Sequence, residues 1–180
     1  MNPRVLLARS FPPGSPALEI VTRHGEQVAA RALAAADRLR ALNPDRAFLA
    51  EAALLHDIGV AHTDSPQIGC HGREPYIRHG VLGREILERA SLPRHALVCE
   101  RHVGAGITAE EIRRQGLPLP VRDMLPATLE EEILCWADKF YSKTGQRGLA
   151  VKSLEEVLAG LRRFGEEPVA RFLAWHARFA

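Results

Sequence analysis

The stretch DRAFLAEAALLHDIG, residues 45–59, decides the fold, because an apolar helical pattern in it ends on two side chains that commonly bind metals. The pattern is apolar up to Leu55 and then changes to His56 and Asp57. Consecutive side chains point about 100° apart inside a helix, but they can converge where the helix ends. Gly59, two residues further on, is expected to let the chain turn away there. The stretch therefore predicts a helix that ends at a ligand site.

Helical periodicity continues along the rest of the chain. Capping residues, prolines and glycines divide it into predicted helices over residues 16–41, 45–57, 75–90, 93–104, 109–116, 129–144 and 154–164, and a last piece, broken near Gly165, that runs to residue 180. The predicted N-terminal signals are the caps Asp45 and Thr108 and the capping boxes Thr128–Glu131 and Ser153–Glu156. Residues 58–74 hold three glycines and a proline, which is typical of a loop. Since no strand pattern longer than four residues is found, the predicted class is all-α.

Length and composition suit a soluble globular protein with a sizeable core. The 180 residues are 46% hydrophobic and 26% charged, with a formal net charge of +2. Acidic and basic residues are interleaved, so neither bulk nucleic-acid binding nor membrane binding is expected. No apolar run reaches the roughly 20 residues that span a bilayer, and the proline-broken start is a poor signal peptide. Three cysteines without C-x-x-C spacing indicate neither a disulfide framework nor a zinc ribbon. We predict a cytoplasmic protein.

Each of several predicted helices carries one ligand-type residue where a bundle could point it inward. Among the eight histidines, His24 lies in the first helix and His79 in the third, while His102 ends the fourth. Asp138 lies inside the apolar run ILCWADKF, where an unpaired carboxylate would cost several kcal/mol. Side chains from facing helices build metal sites in helical bundles in this way. A structural bundle with fortuitous histidines is the alternative, and Asp138 argues against it.

These residues, in this order, resemble the HD superfamily of metal-dependent phosphohydrolases. The pattern H…HD…D is met by His24, His56–Asp57 and Asp138, with HDIG as a common form of the doublet and ADK as a frequent context of the last aspartate. His79 in HGVLGREIL and His102 in ERHVGAGIT match the two additional histidines of binuclear members. The stretches ERHVGAGIT, GLP and LPATLEEEILCWADK look most like a small, mostly uncharacterised group of predicted hydrolases from archaea and some bacteria. The resemblance covers residues 24–140.

The resemblance implies an all-α HD bundle of five or more helices around one or two divalent transition-metal ions (iron, manganese, cobalt, nickel or zinc). By that analogy, the first metal is bound by His24, His56, Asp57 and Asp138, and Asp57 bridges to a second metal bound by His79 and His102. The catalytic residues are then His56 and Asp57. The HD domain is expected over residues 16–145, after an N-terminal extension over 1–15. A C-terminal helical extension over 146–180 is expected to pack on the domain through its apolar stripe. The alternative is that this stripe forms the interface of a homodimer.

Two departures from the family pattern concern the substrate. Many binuclear members continue HDIG with a lysine that contacts phosphate, but here the residue is Val60. The Gly-Tyr-Pro signature of cyclic-dinucleotide phosphodiesterases is replaced by GAGITAEEI, which argues against cyclic-di-GMP. Contacts to substrate phosphate are therefore expected from other cations, namely Arg73, Arg78, Arg101 and Lys139.

The predicted function is hydrolysis of a phosphoester or phosphoanhydride bond in a small phosphorylated, nucleotide-like molecule. Mononuclear relatives act as nucleoside 5'-monophosphatases, which is the first alternative, although they lack counterparts of His79 and His102. A non-catalytic regulatory module that retains metal or nucleotide is the second. The roles of His62 and His71, which lie in the 58–74 segment, are left open at this point.

Overall fold

The described part of the chain, residues 2–144 and 151–180 of a computed structural model, is built almost entirely of helices. Its α-helices are α1 (Pro3–Ser10), α2 (Pro16–Arg38), α3 (Arg46–Leu55), α4 (His79–Arg89), α5 (Pro93–Arg101), α6 (Ala109–Gln115), α7 (Leu129–Asp138), α8 (Leu154–Arg162) and α9 (Glu166–Phe179). The predicted all-α class is confirmed. Within these residues, no helix combines the length and apolar character needed to cross a bilayer.

The segment that follows the His-Asp doublet is more regular than predicted. It contains 3-10 turns at Ile58–His62 and Pro66–Ile68, and two short antiparallel strands, β1 (Asp64–Ser65) and β2 (Cys70–His71). The chain can reverse between the strands because Gly69 has a left-handed φ of 79°. The glycine-rich composition was correctly taken as a sign of turns, but the predicted loop did not include the two short strands.

Most of the predicted helix starts are capped as expected. The side chain of Asp45 accepts a hydrogen bond from the backbone N–H of Phe48, and complete capping boxes begin α6 and α8. Only one of the two hydrogen bonds predicted for the capping box at α7 is present. Thr128 does accept from the N–H of Glu131, but the Glu131 carboxylate accepts from the N–H of Ala127 and from Arg101. A guanidinium from α5 thus takes part in the cap, which local spacing does not reveal.

The N-terminal segment forms an element that the sequence patterns did not reveal. Helix α1 occupies residues that were expected to be an extension, and Leu7 and Phe11 are buried in an apolar cluster with Leu55 and Ile58. The segment therefore packs against the end of α3 that carries the doublet. The division at residues 145 and 146 lies outside the described residues, so the proposed domain boundaries stay a prediction.

The C-terminal helices bury most of their apolar stripe against the rest of the chain. Leu161, Phe172 and Trp175 belong to one apolar cluster with residues of α2, α3 and α7, whereas Phe164 and Leu173 are 48% and 41% exposed. Burial of apolar area at this level is the dominant favourable contribution to folding. The helices α8 and α9 are therefore part of the same hydrophobic core.

Candidate metal centre

Six ligand-type side chains meet in the interior of the described fold. Five different parts of the fold supply them: α2, the end of α3, the start of α4, the end of α5 and the end of α7. All six are buried, with exposed fractions between 0% and 7%. They are His24, His56, Asp57, His79, His102 and Asp138.

Four of these residues form a first group around one oxygen of each aspartate. The His24 Nε2 atom lies 2.9 Å from Oδ1 of Asp138 and 3.3 Å from Oδ2 of Asp57. The His56 Nε2 atom lies 3.4 Å and 3.0 Å from the same two oxygens. Ligands about 2.1 Å from a transition metal are about 3.0 to 3.4 Å apart in octahedral or tetrahedral geometry. The spacing of these atoms therefore fits a metal ion.

The second group uses the other oxygen of Asp57. Its Oδ1 atom lies 3.5 Å from Nε2 of His79 and 3.6 Å from Nε2 of His102, and the two Nε2 atoms are 3.1 Å apart. The ligand atoms of this group lie within 4.8 Å of one another, as do those of the first group. Asp57 is thus shared by two groups that could each hold a cation.

Backbone carbonyls orient three of the four histidines. The Nδ1–H groups of His56, His79 and His102 donate to the carbonyls of Ala53, Tyr76 and Cys99, each three residues earlier, at 2.7, 2.7 and 2.8 Å. A carbonyl can only accept, so the proton of a neutral ring lies on Nδ1 and Nε2 keeps its lone pair. Metal-binding histidines are typically held by such a bond on the far nitrogen.

Several polar atoms at the centre of the cluster have no hydrogen-bond partner. They include Nε2 of His56 and Oδ1 of Asp57, whereas Oδ2 of Asp57 is in contact with Lys143. Buried polar atoms are rarely left without a partner, because each one costs about 1–3 kcal/mol. A metal ion bound within each of the two groups would satisfy these atoms, so the residues present fit metal ions.

The charges in the cluster act strongly on one another. Burial opposes ionisation of Asp57, but His56 and Lys143 outweigh it and hold the pKa of that carboxyl well below its usual range. Burial likewise lowers the pKa of His56, but Asp57 and Asp138 raise it to about 9. Burial and the neighbouring imidazole lower the pKa of His79 to about 3. The cluster therefore combines ionised carboxylates with imidazole nitrogens, which is a ligand set for divalent transition metals.

Two glycines allow the helices around the cluster to approach closely. A Cβ on Gly25 would lie 2.8 Å from the carbonyl oxygen of Ala53, so this glycine brings α2 onto α3 beside His24. A Cβ on Gly59 would lie 2.1 Å from the carbonyl oxygen of His79. Gly59 has no left-handed φ, so the expected reason for this glycine was wrong. It is required by the close approach of α4.

Two lysines contact the carboxylates of the cluster. The Lys139 Nζ atom lies 2.6 Å from Oδ2 of Asp138 and donates to the carbonyl of His102 at 3.1 Å. The Lys143 Nζ atom lies 2.6 Å from Oδ2 of Asp57. Lys139 was among the predicted substrate-binding residues, whereas Lys143 was missed. It follows the end of α7, where the direction of a side chain depends on the turn, and no local pattern marks it.

The structure does not bring the three predicted arginines to the cluster. Arg73 is exposed in a separate surface depression that it shares with His62 and His71. Arg78 pairs with Glu74 at 2.9 Å, and Arg101 binds both carboxylate oxygens of Glu131 at 2.9 and 3.1 Å. Their role in substrate binding stays an untested prediction. Val60, which replaces the family's lysine, is fully buried.

A cavity of about 400 Å³ opens beside the cluster. Its lining includes His79, His102 and Asp138 and three lysines, Lys139, Lys143 and Lys152. Within the described residues, Lys152 has no acidic group within ion-pair distance. Tyr76 also lines the cavity, and its ring lies 4.7 Å from that of His79. The open side of the cluster is therefore cationic and can receive an anion.

Comparison with known protein families finds one match that covers most of the chain. Residues 21–142 match the family model of the HD domain. The matched range includes all six residues of the cluster and Lys139, and it ends one residue before Lys143.

Similar curated proteins come from archaea. A tRNA (cytidine(56)-2'-O)-methyltransferase from Picrophilus torridus is 38% identical over 125 residues, which are 69% of this chain and 32% of the relative. A second protein of that name, from Thermoplasma volcanium, is 33% identical over 133 residues, 73% of this chain and 34% of the relative. An uncharacterized protein from Methanocaldococcus jannaschii is 44% identical over 108 residues, 58% of this chain and 56% of the relative. The chain thus spans between about a third and just over half of these relatives.

Proposed function

The chain belongs to the HD domain family, a family of metal-dependent phosphohydrolases, and we propose that it uses two transition-metal ions to cleave a phosphoester or phosphoanhydride bond. The substrate is a small phosphorylated molecule, nucleotide-like in size, and not a nucleic-acid polymer. The proposed ligands are the six residues of the cluster, with Asp57 shared between the two ions.

The observation that carries this proposal is the division of the Asp57 carboxylate between two sets of histidines. Its Oδ2 atom faces His24 and His56, while its Oδ1 atom faces His79 and His102. A carboxylate that touched one set alone would favour a single ion and the nucleoside 5'-monophosphatase alternative. The shared position of the carboxylate favours two metal ions.

The residues of the chain have distinct tasks in this proposal. Metal ions bound at such a site supply Lewis acidity and lower the pKa of a bound water. The carbonyl bonds on Nδ1 keep His56, His79 and His102 turned toward the centre. Asp57 and Asp138 balance the positive charge, and burial of all these side chains excludes competing water from their contacts.

Lysines, and not the predicted arginines, are proposed to bind the substrate phosphate. Lys139 and Lys143 already contact carboxylate oxygens at the rim of the cavity, so their ammonium groups lie within reach of a phosphoryl oxygen beside the metal ligands. Lys152 adds a third positive charge to the same cavity. Lysine binds phosphate as a point charge and does not need the planar geometry of arginine.

The experiment that tests the function combines metal analysis with a substrate screen. The purified protein, loaded in turn with manganese, cobalt and nickel, is assayed by chromatography of the products for cleavage of nucleoside mono-, di- and triphosphates, dinucleoside polyphosphates and simple phosphate esters. A tRNA sample is included because two relatives are named as tRNA methyltransferases. We expect close to two metal ions per chain and hydrolysis of a small substrate that Asp57→Asn abolishes.

Two results would contradict the proposal. At most one metal ion per chain under metal-replete conditions would favour the mononuclear alternative. Two bound ions without hydrolysis of any phosphorylated compound would favour the non-catalytic module that binds metal or nucleotide.

A further inference from the structure

The cavity beside the metal centre is larger than a phosphate group requires. Its volume of about 400 Å³ falls in the roughly 300–1,000 Å³ range of sites for drug-sized ligands. Besides the cluster and the lysines, it is lined by apolar side chains from several elements: Ile77, Ile107, Leu117, Leu161, Phe164 and Pro168. One continuous cavity therefore joins a cationic region to an apolar one.

Part of the apolar wall comes from the C-terminal helices. Leu161, Phe164 and Pro168 lie at the end of α8, in the turn after it and at the start of α9. These residues follow the region that matches the HD domain. The wall is thus supplied by a part of the chain that contributes none of the six ligand-type residues.

Hydrogen bonds fasten this wall to the loop that follows His102. The Arg171 guanidinium donates to the carbonyls of Ala105 and Gly106, both at 3.0 Å, and pairs with Glu111 at 3.2 Å. The Gln115 side chain donates to the carbonyl of Phe164 at 3.4 Å. The apolar wall is therefore held in place before any ligand arrives.

Three polar side chains that line the cavity beside this wall are already engaged in hydrogen bonds. The buried Glu111 carboxylate accepts from the N–H of Thr108 as well as from Arg171, and the hydroxyls of Ser142 and Thr144 bond to each other. Groups paired in this way add little to the binding of a polar occupant, whereas the apolar side chains gain from covering apolar area. The occupant that fits is anionic at one end and apolar at the other.

We propose that the substrate is a phosphate ester whose organic part carries an apolar ring, and that the C-terminal wall around Phe164 selects it. This inference rests on the proposed phosphohydrolase function, which places the phosphate at the metal centre. It assigns to Phe164 the role of a specificity-determining residue.

Phosphonates test the inference because their carbon–phosphorus bond is not hydrolysed, so that binding is measured without turnover. The manganese-loaded protein is titrated calorimetrically with methylphosphonate and with phenylphosphonate. We expect the phenyl compound to bind at least about tenfold more tightly, since even one methylene in a fitted apolar pocket changes affinity by about that factor.

A pair of matched variants locates the selectivity. Phe164→Ser removes a half-exposed ring from the cavity, whereas Leu173→Ser removes an apolar side chain of similar exposure that does not line it. We expect Phe164→Ser to reduce the preference for the phenyl compound at least about threefold, because Phe164 supplies only a part of the apolar wall. The affinity for methylphosphonate is expected to stay unchanged. Leu173→Ser is expected to change neither the preference for the phenyl compound nor the affinity for methylphosphonate.

The outcomes separate this inference from the function on which it rests. Equal affinities of the unsubstituted protein for both phosphonates, or an unchanged preference in Phe164→Ser, would overturn the inference and leave the phosphohydrolase proposal standing. Phenylphosphonate binding that survives removal of the metals would overturn the placing of phosphate at the metal centre, and with it the proposed function.

Discussion

Replacement of Gly59 by alanine tests how the fold brings α4 to the His-Asp doublet. The added Cβ would lie 2.1 Å from the carbonyl oxygen of His79 and 2.4 Å from the backbone nitrogen of Gly83. Real Cβ atoms essentially never come closer than 3.0 Å to such atoms, so α4 must move by about 0.9 Å. Because both atoms belong to the backbone, no side-chain rotation can relieve the contact.

The magnitude follows from the cost of overpacking. Forcing an extra methyl group into a packed interior costs about 1–3 kcal/mol, which lowers the melting temperature of a protein of this size by about 2–12 °C. The displaced residue, His79, is itself a proposed ligand whose Nε2 atom is 3.5 Å from Asp57. We therefore expect weaker binding in the second metal group together with the loss of stability.

The assay is thermal and urea unfolding, followed by elemental analysis of the folded protein. The matched control is Gly160→Ala in α8, where an added Cβ meets nothing within 4 Å. Alanine there is expected to raise stability by about 0.5–1 kcal/mol, the usual advantage of alanine over glycine inside a helix. Equal melting temperatures for the two variants would refute the close approach of α4 to Gly59.

Three further predictions concern the centre itself. His79→Ala is expected to lose one bound metal and keep the other, because His79 belongs to the second group alone; loss of both ions in elemental analysis would contradict two separable sites. Asp57→Asn is expected to keep the helical circular dichroism signal but to lose hydrolysis, since its carboxylate serves both groups; activity near that of the unsubstituted protein would move the chemistry elsewhere. Lys143→Ala is expected to raise KM by about 10- to 150-fold with a smaller change in kcat, because a charge-assisted hydrogen bond is worth about 1.5–3 kcal/mol. Arg40→Ala, at an exposed site that does not line the cavity, is its control, and equal KM values for the two variants would remove Lys143 from the proposed substrate contacts.

The helices and the ligand-type residues were predictable because both depend on local patterns. The period of apolar residues, the caps Asp45 and Thr108, and the proline at the start of α5 act over a few residues, and the structure keeps them. The six residues of the cluster were recognised because their types and order resemble the HD pattern, and because a carboxylate in an apolar run, such as Asp138, is costly unless it is paired or bound. All six meet in the structure.

The cations and the cavity were decided by tertiary structure alone. Lys143 reaches Asp57, whereas Arg101, one residue before His102, turns to Glu131 instead. Neighbouring positions on a helix differ by about 100° in direction, so adjacency to a ligand does not tell which way a side chain points. The apolar wall around Phe164 depends on how α8 and α9 pack against residues about 50 positions earlier, such as Gln115. The sequence by itself therefore determined which helices form and which residues can bind metal. The packing of distant helices decided which side chains surround those residues. Contacts between distant segments depend on turns and crossing angles, which no local pattern records.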